Sequence, residues 1–158
     1  MSQDLPVRVI RPIVLLAEDD HEMRSLIAWT LQKAGYKVVN CRNGFELFQR
    51  LRANLRKSRI RGYDLVLADI RLPGLDDFDV LEDMQSRAKC PPIILITSFG
   101  DDDTHLRAQR MGVEAMFDKP FDMDDLVRVV GELVSLGSNL SEKNLDSGDS
   151  STLDPSTN

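Results

Sequence analysis

A chain of 158 residues, 42% apolar and 29% charged, can bury one well-packed core and is short for two. Its formal net charge of −6 argues against wholesale nucleic-acid binding, and no apolar run approaches the roughly 20 residues that span a bilayer. The start, Met1-Ser2-Gln3-Asp4-Leu5-Pro6, lacks the basic and apolar stretches of a signal peptide, and Cys41 and Cys90 lack metal-ligand spacing, so a reducing cytoplasm without disulfides or zinc is expected.

After an N-terminal extension, residues 1–11, apolar runs alternate with helical patterns. The first strand is 13–17, Ile-Val-Leu-Leu-Ala. A helix starts near Asp20 and places Met23, Leu26, Ile27, Thr30, Leu31 and Ala34 on one face, with Gly35 just past its end. Residues 36–41 read as a second strand. Asn43 then caps a helix, with Glu46 in capping-box position and a core face of Phe45, Leu47, Phe48, Leu51 and Leu55. Residues 64–69 form the third strand, 78–88 a helix, and 92–98 a fourth, apolar strand.

A polar helix from about Asp101 to Met111 stops at Gly112, and a fifth strand covers 115–118. Asp122 caps a last helix that turns Leu126, Val129, Val130, Leu133 and Val134 inward. Strands alternating with helices, and strands of near-continuous Val, Ile and Leu, predict a doubly wound α/β fold with a parallel sheet covered on both faces. The folded unit spans 12–136. The serine-rich segment 137–158 has few large apolar residues to offset its ordering entropy and is expected to be a disordered tail.

In such folds ligands sit beyond the carboxyl ends of the strands. Glu18, Asp19, Asp69, Thr97 and Lys119 all fall there. A carboxylate at the mouth of a buried strand is costly without a partner or a task. Glu18, Asp19 and Asp69 together would raise one another's pKa or demand a cation, and hard oxygen donors suit Mg²⁺. Asp69 would then act as a nucleophile forming an acyl phosphate, with Lys119 and the Thr97 hydroxyl donating to phosphoryl oxygens. Either Glu18 or Asp20 could be the second acid; the register against Met23-Arg24 favours Glu18-Asp19, with Asp20 as the helix cap.

Four stretches carry a family resemblance: Leu15-Leu16-Ala17-Glu18-Asp19-Asp20, the run from Asp64 to Gly74, Ile96-Thr97-Ser98 and Asp118-Lys119-Pro120-Phe121. Together they resemble the response regulator receiver domain, the chemotaxis-type signalling module, over residues 12 to about 136. The resemblance implies a flavodoxin-like sheet of order 2-1-3-4-5, Asp69 as phosphoacceptor, Glu18 and Asp19 as the acidic pair, Thr97 as the switch hydroxyl and Lys119 as the motif lysine. It also implies Mg²⁺ bound in part through the backbone carbonyl of Arg71, and a cis Lys119-Pro120 bond. Three positions depart from the pattern: Asp77 replaces a usual glycine, Met116 stands at the aromatic switch position, and the link before the third strand is long.

Other signals have plainer readings. His21 and His105 read as solvent-facing, Trp29 as partly exposed at a rim, and Cys41 and Cys90 as core or near-core residues. The basic stretch Arg50 to Arg61 reads first as a solvated helix end and second as a surface for an anionic partner. The resulting expectation is a stand-alone cytoplasmic receiver, a switch rather than an enzyme of turnover. It accepts a phosphoryl group from a histidine kinase or phosphotransfer protein and signals through contact with another protein, without binding membrane or nucleic acid. A dehalogenase-type phosphatase would need a second aspartate where Arg71 stands. A flavodoxin-like cofactor carrier would need a phosphate loop where Glu18-Asp19-Asp20 stands. A phosphorylation-independent scaffold is the remaining alternative.

Overall fold

The computed structural model describes residues 10–56, 62–72, 82, 90–98 and 100–145. Five strands, β1 (Ile13–Ala17), β2 (Lys37–Cys41), β3 (Leu65–Asp69), β4 (Ile93–Thr97) and β5 (Ala115–Asp118), form one sheet. Their order is β2-β1-β3-β4-β5, and every pairing is parallel. The described helices are α1 (His21–Lys33), α2 (Gly44–Arg56), α3 (Asp102–Met111) and α4 (Met123–Leu145). This is the doubly wound arrangement expected from the alternation of elements.

Successive strand side chains point to opposite faces, so the sheet divides its apolar residues between two cores. Val14, Leu16, Leu65, Leu67, Ile94 and Ile96 meet Ile27 and Leu31 of α1 and Leu126 and Val130 of α4. Leu15, Ala17, Val66, Ala68, Ile93 and Leu95 meet Leu47 and Leu51 of α2 and Ala108 of α3. β1, β3 and β4 therefore carry apolar residues at nearly every position. The edge strand β5 is only half-buried and ends exposed at Asp118.

The helix starts coincide with the capping residues. The Asp20 side chain accepts from Met23 N at 2.7 Å, Asp101 from Thr104 N at 2.8 Å, and Asp122 from Asp124 N at 2.7 Å. Asn43 Oδ1 accepts from Glu46 N at 2.9 Å, while Glu46 reaches back to Arg42 N, one residue earlier than a capping box would place it. Gly112 closes α3 at φ 77° and Gly35 comes after α1 at φ 102°, backbone conformations that a Cβ disfavours.

Some packing expectations are corrected. Leu26 (47% exposed) and Ala34 lie outside the α1 core face, and Ala28 is buried instead. The buried arc runs through Ile27, Ala28 and Leu31, and Leu26 is rotated about 200° from Ala28 around the helix axis. Phe45 is likewise exposed, because Leu47 and Leu51 define the inward face of α2 and Phe45 sits two residues before it. Trp29 is exposed, with Lys33 Nζ 4.3 Å from its ring centroid. Cys41 is buried and free, and burial pushes its thiol up to about 11; Cys90 is half-buried and free.

The last helix runs to Leu145, well past Gly137, so the first part of the expected disordered tail is helical. Once nucleated, a helix gains a hydrogen bond for each residue added, and 138–145 contains no proline or glycine to stop it. Residues 146–158 lie outside the described residues. So do Asp77, residues 57–61 with the basic Lys57, Arg59 and Arg61, the N-terminal extension up to Val9 and, apart from the helical Glu82, the helix expected over 78–88. Among the described residues, no helix is long and apolar enough to cross a membrane.

Candidate functional site

β1 and β3 lie side by side at the centre of the sheet, with Leu16 opposite Leu67 and Ala17 opposite Ala68. The next residues, Glu18 and Asp69, are thereby carried to the same end of the sheet, 51 positions apart in the chain. Glu18 is 1% exposed and Asp69 4%. Oxygen atoms of Glu18, Asp19 and Asp69 all lie within 4.8 Å of one another. β4 and β5 supply the remaining pair, since Thr97 stands opposite Asp118 and the next residue is Lys119. Lys119 N donates to Thr97 O at 2.7 Å, and the Lys119-Pro120 bond is cis, as the resemblance implied.

Lys119 Nζ bridges the acids, 2.8 Å from Asp69 Oδ2 and 3.0 Å from Glu18 Oε2. Asp69 Oδ1 accepts from Arg71 N at 2.8 Å, and Glu18 Oε1 from Asp20 N at 3.2 Å. Glu18, Asp19, Asp20, Met23, Asp69, Arg71, Ser98 and Lys119 line an open cleft of about 470 Å³. Thr97, 1% exposed, is not on that lining and lies buried at the end of β4.

Electrostatics describe a site with more negative charge than its lysine can balance. Burial pushes the Glu18 carboxyl up to about 7, and the negative charge of Asp69 adds to the rise; the hydrogen bond from Lys119 offsets only part of it. Burial alone would lower the Lys119 ammonium, but its hydrogen bonds to Asp69 and Glu18 outweigh that and hold it above the ordinary lysine value. Three carboxylates thus face one ammonium. A compact set of hard oxygen donors with a shortfall of positive charge, open to solvent on one side, fits a Mg²⁺ ion that keeps some of its water.

The structure brings the side chains of Glu18, Asp19, Asp69 and Lys119 together, while Thr97 is joined to Lys119 through the backbone and its side chain is buried off the cleft lining. Sequence reasoning named Met23, Arg24 and Ser98 but gave them no part in the site; Met23 and Ser98 are on the cleft lining, and Arg24 Nη1 donates to the Glu18 carbonyl at 2.9 Å. Only the path of the chain from β1 into α1 brings that guanidinium back to the strand end. His105 lies at the surface as expected, and it also has a partner there. Its Nε2 lies 3.1 Å from both carboxylate oxygens of Asp118, so it ties α3 to the end of β5. An added Cβ on Gly100 would collide with both of those side chains.

Comparisons with known proteins agree with this architecture. The family model for the response regulator receiver domain matches residues 14–131. The DNA-binding transcriptional regulator NtrC of Escherichia coli is 30% identical over 125 residues, which cover 79% of this chain but 25% of that protein. This chain therefore spans about a quarter of the length of that curated relative. Sporulation initiation phosphotransferase F of Bacillus subtilis is 29% identical over 126 residues, covering 80% of this chain and 96% of the relative. Among solved structures, a CheY-like response regulator receiver domain protein from Methanospirillum hungatei superposes with a TM-score of 0.72 at 19% identity, covering 83% of this chain and 99% of the other. Chemotaxis protein CheY4 of Vibrio cholerae gives 0.64 at 25% identity, over 78% and 99%. With its strand order, its buried acidic centre and this family match, the chain belongs to the response regulator receiver domains of two-component signalling.

Proposed function

We propose that this chain is a phosphorylation-controlled switch whose phosphoacceptor is Asp69. Receiver domains take phosphoryl groups from histidine kinases or phosphotransfer proteins and act as switches, generally not as enzymes of turnover. The observation that carries the assignment is the buried Asp69 carboxylate held between Lys119 Nζ and Arg71 N at the mouth of the acidic cleft. In the transfer, an Asp69 carboxylate oxygen forms a bond to phosphorus as the phosphorus–nitrogen bond of a phosphohistidine donor breaks, and the imidazole leaves with the electron pair. The product is an acyl phosphate, which water slowly hydrolyses.

Glu18, Asp19, Asp69 and the Arg71 carbonyl are the groups that would hold Mg²⁺. A bound Mg²⁺ would supply counter-charge to the carboxylates and to the incoming phosphoryl group. Lys119 neutralises charge on the phosphoryl oxygens, and its contact with Asp69 keeps both groups at the reacting end of the sheet. The Thr97 hydroxyl, buried behind the cleft, is drawn to a phosphoryl oxygen once one is present. The position of Arg71 disfavours an aspartate-nucleophile phosphatase, because a guanidinium stands where such an enzyme needs a carboxylic acid. We further propose that the chain works in the cytoplasm as a stand-alone receiver, with residues 12–136 as the signalling unit and a separate protein as its target.

Incubation with acetyl phosphate and Mg²⁺ should add one phosphoryl group, read by intact-protein mass spectrometry. Asp69→Asn should abolish the addition, and chelation of divalent cations should suppress it. Equal labelling of the Asp69→Asn protein would reject the assignment. No labelling of the wild-type chain would favour the phosphorylation-independent scaffold. In a Mg²⁺ titration, Asp19→Asn should weaken binding more than Glu18→Gln, since Glu18 already shares its charge with Lys119.

A further inference from the structure

Two of the three clustered carboxylates are fixed by their own contacts. Glu18 accepts from Lys119 and Asp20, and Asp69 accepts from Lys119 and Arg71. Asp19 is different. It is exposed, and among the described residues its carboxylate has no hydrogen bond or ion pair, although an oxygen of it lies within 4.8 Å of the other two acids. Its place in the cluster is therefore set by the main chain of the β1–α1 turn.

That main chain is held at its amides by Glu18 N donating to the Cys41 carbonyl at 3.2 Å and Asp20 N donating to Glu18 Oε1, and at its carbonyls by Arg24. Arg24 Nη1 donates to the Glu18 carbonyl at 2.9 Å and to the Asp19 carbonyl at 3.4 Å, and Arg24 N donates to the Asp20 carbonyl at 2.9 Å. All three consecutive carbonyls of the acidic turn thus end on Arg24. Hydrogen bonds from a guanidinium are charge-assisted, and the two made by the side chain fix the orientation of the peptide units on either side of Asp19. We propose that Arg24 is a positioning residue for the cation site, holding the turn so that the otherwise unsupported Asp19 carboxylate faces Glu18 and Asp69.

The proposal rests on the magnesium reading above, and it makes a prediction of sign. A guanidinium acting only through its charge would repel a nearby cation, so its removal would tighten Mg²⁺ binding. A guanidinium that positions a ligand does the reverse. Calorimetric Mg²⁺ titration of the full chain separates the two. Arg24→Met, which keeps the apolar stem and loses the donors, should weaken Mg²⁺ binding about tenfold, the scale seen when groups that orient metal ligands are removed. Arg24→Lys, which keeps one charged donor, should lose less.

In an Asp19→Asn background, Arg24→Met should cost little more, because the carboxylate it orients is already gone. A purely structural role would give losses that add. Unchanged or tighter binding by Arg24→Met, or additive losses, would overturn the proposal. Should Arg24→Met fail to fold, judged by thermal melting, the comparison passes to Arg24→Lys, with a smaller loss in the same direction and the same dependence on Asp19 required. If Asp19→Asn binds Mg²⁺ as well as the wild type, the metal reading itself fails and this proposal with it; if only the Arg24 variants do, the metal reading stands and the positioning role falls.

Discussion

Where β1 and β3 end, the backbone lies in the middle of the sheet, flanked by strands on both sides, and the side chains of Glu18 and Asp69 are almost fully buried. Where β5 ends, the sheet has an open edge. Asp118 is exposed, its partner His105 is exposed too, and Met116 is only half-buried. The same cleft is therefore built from a tightly packed acidic half and a looser half that carries Lys119. The difference teaches where change can be accommodated. Displacing Asp69 would disturb β1, β3 and β4 together, whereas shifting Lys119 and the end of β5 disturbs fewer packed neighbours.

The contrast should be largest in stability. Leu67→Ala, in the fully buried centre of β3, should cost about 2–5 kcal/mol, while Leu106→Ala, on the exposed face of α3, should stay within about 0.5 kcal/mol. Urea denaturation of both variants measures this directly. Similar losses would mean that the β5 side is as tightly built as the centre, and the comparison would break.

A smaller effect is expected at the α3–β5 contact. A double-mutant cycle between His105→Ala and Asp118→Asn should give a coupling no larger than about 1 kcal/mol, as for other exposed pairs. That coupling should vanish when Gly100 becomes alanine, because the new Cβ occupies the space where the two side chains meet. The side chains can swing into solvent, so Gly100→Ala itself should fold normally. An undiminished coupling in that background would show that Gly100 does not control the contact.

The smallest signal is dynamic. Methionine fills irregular space in several rotamers, so inward and outward states of Met116 should differ less in energy than those of an aromatic residue. Relaxation-dispersion NMR at the Met116 methyl should detect exchange before phosphorylation, and a phosphoryl mimic should shift its populations. A single rigid conformer before phosphorylation, or changes confined to the α1–β2 side, would remove the distinction between the two halves.

Much of this molecule was legible in the chain itself because its strands are short, apolar and sharply bounded. Runs such as Leu65-Val66-Leu67-Ala68 have one stable fate, burial on both faces, and the polar residue next in the chain must emerge at a strand end. Periodicity therefore located β1 to β5 closely and put Glu18, Asp19, Asp69, Thr97 and Lys119 at one end of the sheet. Capping residues marked the helix starts for the same reason, since a side chain three residues from an unsatisfied amide acts locally.

Contacts between distant parts of the chain were not legible. Leu26 and Phe45 satisfied helical spacing, yet which arc of a helix turns inward depends on how it seats on the sheet. The helical continuation to Leu145 depended on propagation from a helix already packed through Leu126 and Val130. The bridge from Lys119 to Glu18 and Asp69, the hold of Arg24 on three carbonyls and the meeting of His105 with Asp118 needed the folded strands to bring those groups within hydrogen-bonding distance. The sequence alone determined which residues stand at the carboxyl end of the sheet, because burial of apolar strands leaves them nowhere else to go. Only the tertiary structure decided how those residues share their charges and what holds each one in place, because hydrogen bonds and charge interactions depend on distances of a few ångströms that periodicity does not encode.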